Sequence, residues 1–90
     1  MKLNKDDLIK HLALSEHTKL ESPNIGIIGD DKYFKRKMKS ILRRTKHYDF
    51  MYANKELTRY TLINNNIETT YIKIENLSDL ENTYFRRYLC

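Results

Sequence analysis

Basic side chains crowd the segment between residues 32 and 46. This segment contains eight Lys and Arg residues and no Asp or Glu. Cations in a row along one helix face can each neutralise a phosphate of a nucleic acid strand, and an Arg in a major groove can bind a guanine edge. The candidate nucleic-acid-binding residues are Arg36, Lys39, Arg43, Lys46, Lys35 and Arg44. We therefore expect DNA or RNA as the partner, and a regulatory protein is one class that fits.

This one segment accounts for the positive charge of the chain. The formal net charge is +5, from 17 Lys and Arg residues against 12 Asp and Glu residues. Residues 30–48 carry eight basic residues and two Asp, a net of +6, whereas the remainder carries nine basic and ten acidic residues, a net of −1. A merely solvated helix face would intersperse Glu, because like charges three or four residues apart repel. The distribution favours an acidic partner.

The acidic partner can also be a protein, because a basic helix face can dock on an acidic patch through complementary charge. Lys, Asn, Ile and Tyr, which have AT-rich codons, number 11, 8, 9 and 7, and this is typical of an AT-rich genome. Small size, this composition and the lack of a cofactor motif fit an inhibitor or adaptor from a phage or mobile element that binds a host protein. The sequence leaves this alternative open beside nucleic-acid binding.

A third interpretation concerns the C-terminal run Tyr84-Phe85-Arg86-Arg87-Tyr88. The run resembles small ribonuclease toxins, which use Arg and Tyr near the chain end on a domain of this size. Those toxins place the residues on a sheet with more strands than this sequence predicts. Here Tyr84, Phe85 and Tyr88 are spaced as the apolar face of a helix. We expect them to pack in the core, with the two arginines exposed.

No motif predicts a cofactor, a metal site or a catalytic residue, and we expect a protein that is not an enzyme. The stretch 26–32 lies between an apolar run and a helix, as a phosphate loop would, but it lacks the Gly-Lys-Ser/Thr ending. The pairs Asp6-Asp7 and Asp30-Asp31 each lie at a helix start, where carboxylates are favoured for ordinary reasons. The histidines, which show no ligand spacing, are His11, His17 and His47.

The clearest helix covers residues 32–48 and carries the basic segment. The positions that recur at helical spacing are Phe34, Met38, Ile41, Leu42 and Tyr48, with Thr45 among them. At ~100° per residue they fall within a stripe of about 120°, the width of a core-facing helix. Asp30 can cap the start, and Lys46 and His47 suit the negative end of the dipole. The basic row lies opposite the apolar stripe.

Two further elements precede this helix. A first helix is predicted over residues 5–14, where Asn4 can serve as the cap. Its buried face consists of Leu8, Ile9 and Leu12. The β-branched run at 25–28 ends at Gly29 and predicts a short buried strand or extended segment.

A hairpin and a third helix are predicted after the basic helix. Thr, Tyr, Ile and Leu dominate residues 57–63 and 67–75, as a half-buried hairpin favours. The asparagines between them tolerate the left-handed backbone of a tight turn. Ser78 and Glu81 have the spacing of a capping box at a helix start. The apolar face expected for that helix is Leu80, Tyr84, Phe85, Tyr88 and Leu89.

The predicted order is α-β-α-β-β-α, an α+β domain in which a small antiparallel sheet or hairpin packs on the central basic amphipathic helix. A winged-helix protein has a similar order of helices and hairpin. Its middle helix would have to lie at residues 22–29, where one Pro, two Gly and three Ile disfavour a helix. Residues 1–90 are expected to form one domain, since so short a chain rarely holds two cores.

The chain has the features of a cytoplasmic protein. Cys90 is the only cysteine and the last residue, so no internal disulfide can form. No apolar run follows the first lysines, as it would in a signal peptide, and no apolar stretch approaches the ~20 residues of a membrane span. The oligomeric state has no signature in the sequence.

Overall fold

A five-stranded sheet with one long helix on it makes up most of the domain. The computed structural model describes residues 16–45 and 47–89. The elements in chain order are β1 Asn24–Ile28, α1 Asp31–Arg44, β2 Phe50–Ala53, β3 Arg59–Asn64, β4 Ile67–Ile74, a 3₁₀ helix Leu77–Leu80 and β5 Arg87–Leu89. The α+β class is confirmed. The helix predicted at 5–14 lies outside the described residues.

The sheet is mixed, whereas an antiparallel sheet or hairpin was predicted. Its strand order is β2-β3-β4-β1-β5. The β2–β3 and β3–β4 pairs are antiparallel, but β1, an interior strand between β4 and β5, runs parallel to both of them. The parallel pairs bring together segments that are far apart in the chain, such as Ile25 with Tyr71 and Ile25 with Arg87. Periodicity within one segment carries no information about such pairings.

Residues 22–29 contain strand β1 and no helix. This confirms the strand expected at 25–28 and removes the middle helix that a winged-helix order requires. Strand β1 is an almost continuous apolar run because it is buried on both faces of the sheet. Ile27 faces α1, and Ile28 faces the opposite side with Phe85 and Leu80. The core therefore consists of two apolar clusters separated by the sheet.

Helix α1 begins as predicted and ends earlier than predicted. The Oδ1 atom of Asp30 accepts a hydrogen bond from the backbone N–H of Tyr33 at 2.8 Å, and so caps the first turn. The helix ends at Arg44 instead of continuing to residue 48. The backbone N–H of Asp49 already bonds to the carbonyl of Ile63 at 2.8 Å. The chain must leave the helix axis before that point to reach the sheet, so His47 and Tyr48 lie beyond the helix.

The buried face of α1 agrees with the predicted helix phase over its length. Phe34, Met38 and Ile41 are buried, and Leu42 is half-buried against the same cluster. Tyr48, the last residue of the predicted stripe, is 38% exposed because it is no longer helical. One side of α1 is thus anchored on the sheet, and the other is turned outward.

The third helix was a wrong prediction. Residues 77–80 form a 3₁₀ turn of four residues, and the chain then becomes extended and ends in β5. The capping box uses Asn76 and Asp79 instead of Ser78 and Glu81. Asn82 then adopts a left-handed φ of 57°, which interrupts any helix. Tyr88 and Leu89 belong to an edge strand, whose spacing happened to match a helical face.

The predicted hairpin is confirmed, and a strand that the sequence analysis missed extends it. Asn65 and Asn66 both have positive φ, 51° and 65°, in the two-residue turn between β3 and β4. This is the conformation that matches the twist of a tight hairpin. Strand β2 then pairs with β3 and forms the outer edge of the sheet. Among the described residues, no helix is both long and apolar enough to cross a membrane.

Candidate nucleic-acid interface

The side of α1 that faces away from the sheet is basic. Its exposed cationic residues, which we call the outward basic face, are Lys32, Lys35, Arg36, Lys39 and Arg43. Arg44 is also exposed, on the flank of the helix. Of the six predicted contact residues, five therefore lie at the protein surface. The sixth, Lys46, lies outside the described residues.

The outward basic face forms a straight row. At ~100° per residue, Lys32, Arg36, Lys39 and Arg43 fall within roughly 60° around the helix axis. At 1.5 Å per residue the row is ~16 Å long. The anchored side of the helix holds this row in place, because Phe34 and Met38 are at most 1% exposed. The arrangement is a rigid line of cations of a length that can follow several phosphates of one strand.

One acidic residue partly neutralises this surface. Asp31 lies 2.8 Å from the Nζ of Lys35 and 3.5 Å from that of Lys73. The hydrogen bond with Lys35 lowers the pKa of Asp31, and the same bond raises the pKa of Lys35. Within residues 16–45 and 47–89, no acidic side chain pairs with Arg36, Lys39 or Arg43. Among the cations of the outward basic face, only Lys35 is thus paired with a described acidic side chain.

A second group of cations borders the flank of α1. Lys37 and Arg44 from the helix and Arg87 from β5 line a hollow of about 340 Å³, which we call the flank hollow. From its sequence context Arg87 was expected on the exposed side of a third helix, away from α1. The parallel pairing of β5 with β1 brings it to the hollow. Only that long-range pairing, which has no local sequence signal, could have indicated the hollow.

The C-terminal aromatic cluster serves mainly to pack the sheet. Phe85 is fully buried, and its ring lies 5.3 Å from that of Tyr88. Burial raises the pKa of Tyr88, and this effect is larger than that of the hydrogen bond with Thr18, which lowers the pKa. The Nε of Arg86 donates to the carbonyl of Ser22 at 3.1 Å. The sheet does have more strands than predicted, yet Phe85, Arg86 and Tyr88 have structural partners.

The other residues weighed for chemistry have ordinary environments where the structure describes them. The Nδ1 of His17 donates to the carbonyl of Thr83 at 2.9 Å, and His47 is exposed. Asp30 caps α1, and Asp31 bonds to Lys35. No group of three or more metal-ligating side chains lies within the described ranges. His11, Asp6 and Asp7 lie outside them.

The edge strand β2 forms an apolar surface, in contrast to the basic surface of α1. Phe50, Met51 and Tyr52 are 59%, 40% and 57% exposed, and none of the four β2 residues is charged. The rings of Phe50 and Tyr52 stack on one face, with centroids 6.4 Å apart. An uncharged edge strand with exposed apolar side chains is a surface on which another strand can pair.

Comparison of the chain with models of protein families, with curated proteins and with solved structures gives no match. The outward basic face and the β2 edge are therefore interpreted from their own chemistry. The first presents charge on a rigid helix, and the second presents apolar side chains on an edge of the sheet.

Proposed function

We propose that this protein binds nucleic acid through the outward basic face of α1. The observation that carries the proposal is a row of exposed cations, all but Lys35 without an acidic partner among the described residues, on a helix whose other side is anchored in the core. Nucleic acid backbones carry a regular series of negative charges that match such a row. In this proposal the protein is a binding module and carries out no reaction.

The row itself destabilises the helix in the absence of a partner. Like charges at spacings of three and four along a helix cost a few tenths of a kcal/mol per pair. Arg36, Lys39 and Arg43 have these spacings. The contacts of Phe34 and Met38 in the core compensate for the repulsion. A polyanion bound along the row would relieve this repulsion.

Phosphate contacts predict a measurable salt dependence. If Lys32, Arg36, Lys39 and Arg43 each neutralise one phosphate, log affinity for duplex DNA falls with log salt at a slope of roughly −3.6, from about 0.9 per contact. Arg43→Gln should lower the magnitude of that slope by about 0.9 and weaken binding to every sequence. Arg43 is exposed, so the variant should melt as the parent does.

The experiment is fluorescence anisotropy of labelled DNA and RNA at several salt concentrations. The matched control is Lys55→Gln, which removes the same charge from an exposed position in the turn between β2 and β3. It should leave the slope unchanged. Equal weakening by both variants would mean that net charge, and not the outward basic face, determines binding. Absence of binding at low salt would refute the proposal.

A protein partner at β2 is the second candidate function, and the exposed apolar side chains of Phe50, Met51 and Tyr52 favour it. A strand from the partner would add to the edge of the sheet, with backbone hydrogen bonds supplying affinity. Such a protein would be an inhibitor or adaptor, as the sequence also suggested. This surface makes no use of the basic helix.

Site-specific photo-crosslinking in the cells that produce the protein distinguishes the two functions. A photoreactive residue in place of Arg36 should give adducts that nuclease removes if nucleic acid binds α1. The same residue in place of Tyr52 should give adducts that protease removes if a protein binds β2. Protease-sensitive adducts from position 52 alone would favour the second candidate over the first.

A further inference from the structure

The flank hollow lies where the second half of α1 meets the edge of the sheet. Lys37 and Arg44 reach it from the helix, and Arg87 reaches it from β5. Successive residues of a helix point ~100° apart. Lys37 and Arg44 therefore lie beside Arg36 and Arg43 but one quarter-turn further around the helix. The hollow adjoins the outward basic face without being part of it.

Among the residues that the structure describes, its lining combines three cations with neutral groups and includes no acidic side chain. The neutral lining residues are Ile41, Thr45, Tyr71 and Leu89. Ile41 is buried, and Tyr71 and Leu89 pack against the same core cluster. The hollow thus has an apolar floor, two hydroxyl groups and three positive charges at its rim. Within the part of the chain that the structure describes, Lys37, Arg44 and Arg87 make no ion pair.

We infer that the flank hollow binds the terminal phosphate of a nucleic acid strand, an inference that rests on the proposed function. Guanidinium groups bind phosphate oxygens through paired hydrogen bonds, and lysine adds a point charge. A phosphate monoester carries ≈ −1.5 to −2 charge near neutral pH, whereas each phosphate inside a strand carries one. Three cations lining one hollow match the monoester better than the single charge of an internal phosphate.

The shape of the hollow also favours the end of a strand. Its volume, about 340 Å³, is at the lower end of the range for small-molecule sites, ≈ 300–1,000 Å³. It therefore has room for about one terminal nucleotide, and the apolar floor can contact the sugar. The outward basic face would hold the phosphates of the adjoining nucleotides.

The experiment compares oligonucleotides that differ only at their ends. Three single strands of the same sequence, internally labelled, carry a 5′-phosphate, a 3′-phosphate or hydroxyl groups at both ends. We expect the parent protein to bind one of the phosphorylated strands about tenfold more tightly than the hydroxyl strand, since hydrogen bonds to charged groups are individually worth about that factor. Arg87→Gln should abolish this preference and leave the affinity for the hydroxyl strand nearly unchanged.

Lys39→Gln is the matched control, because it removes a cation from the outward basic face. It should weaken binding to all three strands equally and preserve the preference for a terminal phosphate. Lys37→Gln tests the hollow a second time, from the helix side, should Arg87→Gln disturb strand β5. Circular dichroism melting verifies that each variant is folded.

The outcomes separate this inference from the proposed function. Equal affinity of the parent protein for all three strands refutes the terminal-phosphate site and leaves nucleic-acid binding intact. No binding to any strand refutes the proposed function. A titration with inorganic phosphate adds a further arm. Suppose that the parent protein binds inorganic phosphate in a way that Arg87→Gln abolishes, and yet binds none of the three strands. In that case the hollow binds a free anion, and the inference of a strand end is wrong.

Discussion

Strands β1 and β2 are both short and rich in apolar residues, yet their surroundings differ completely. In β1, Ile25, Ile27 and Ile28 are at most 3% exposed. In β2, Phe50 and Tyr52 are more than half exposed. Apolar character alone therefore does not decide burial. The number of neighbours that a strand acquires from distant parts of the chain decides it.

The kind of connection explains this difference. Parallel strands need a crossover, and the segment that crosses over covers a face of the sheet. Strand β1 has two parallel neighbours, α1 on one face and the cluster of Leu80 and Phe85 on the other. Within residues 16–45 and 47–89, strand β2 has only β3 beside it, in an antiparallel pair. The interior of the sheet around β1 thus supplies stability, and its β2 edge remains available for contacts.

The same substitution in the two regions gives the largest expected contrast. Met38→Asp puts an unpaired carboxylate against Ile27, at a position 1% exposed. It should cost at least about 4 kcal/mol or abolish folding. Met51→Asp, at a position 40% exposed on β2, should cost about 1 kcal/mol or less. Urea unfolding measures both losses of unfolding free energy. Similar losses for the two variants would disprove the contrast between the interior of the sheet and its β2 edge.

Substitution by a larger side chain should also destabilise β1 more than β2, but the difference in stability should be smaller. A Cβ at Gly26 would lie 2.3 Å from the Cδ1 of Ile74 and 2.9 Å from a ring carbon of Tyr88. Because Ile74 is fully buried and has little room to move, Gly26→Ala should destabilise by about 1–3 kcal/mol. Ala53→Val on the exposed β2 should stay within about 0.5 kcal/mol of the parent. Equal melting temperatures for the two variants would contradict this account.

The smallest expected effect on stability concerns the ion pair between Asp31 and Lys35 at the start of α1. The pKa of Asp31 is lower in the folded protein than its ordinary value of 3.8, chiefly because of the hydrogen bond with Lys35. The stabilisation from this group is therefore complete above pH ~4 and is lost as the pH falls through the folded pKa. Asp31→Asn and Lys35→Gln should each flatten the stability profile in that acidic range. An unchanged profile for both variants would show that the pair contributes nothing.

The helix could be predicted because its signal is local. The spacing of Phe34, Met38 and Ile41 fixes which side is buried, and this also places Arg36 and Arg43 on the exposed side. The two asparagines at the hairpin turn are similarly local signals. These features depend on neighbours within a few residues, so the sequence is enough to find them.

The remaining features depend on contacts between distant segments. Strand β5 could not be distinguished from a helix, because only its pairing with β1 makes Arg87 and Leu89 part of a sheet. The 3₁₀ turn is held by the carboxylate of Asp79, which accepts hydrogen bonds from the backbone N–H groups of Glu75 and Asn76. The position of Arg87 at the flank hollow follows from the same pairing. The outward basic face was thus visible in the sequence, and the flank hollow was not.

The interior position of β1, between two strands that follow it late in the chain, also has a consequence for how the chain folds during synthesis. Strand β1 leaves the ribosome well before β4, and β5 is later still, so β1 has neither of its parallel partners until β4 has emerged. The hairpins of β2, β3 and β4 connect neighbouring segments and can form first. Pairing of β1 then has to close long loops, which slows folding. In that interval the isoleucines of β1 and the apolar edge of β2 are exposed together, and a nascent chain in this state is prone to aggregate.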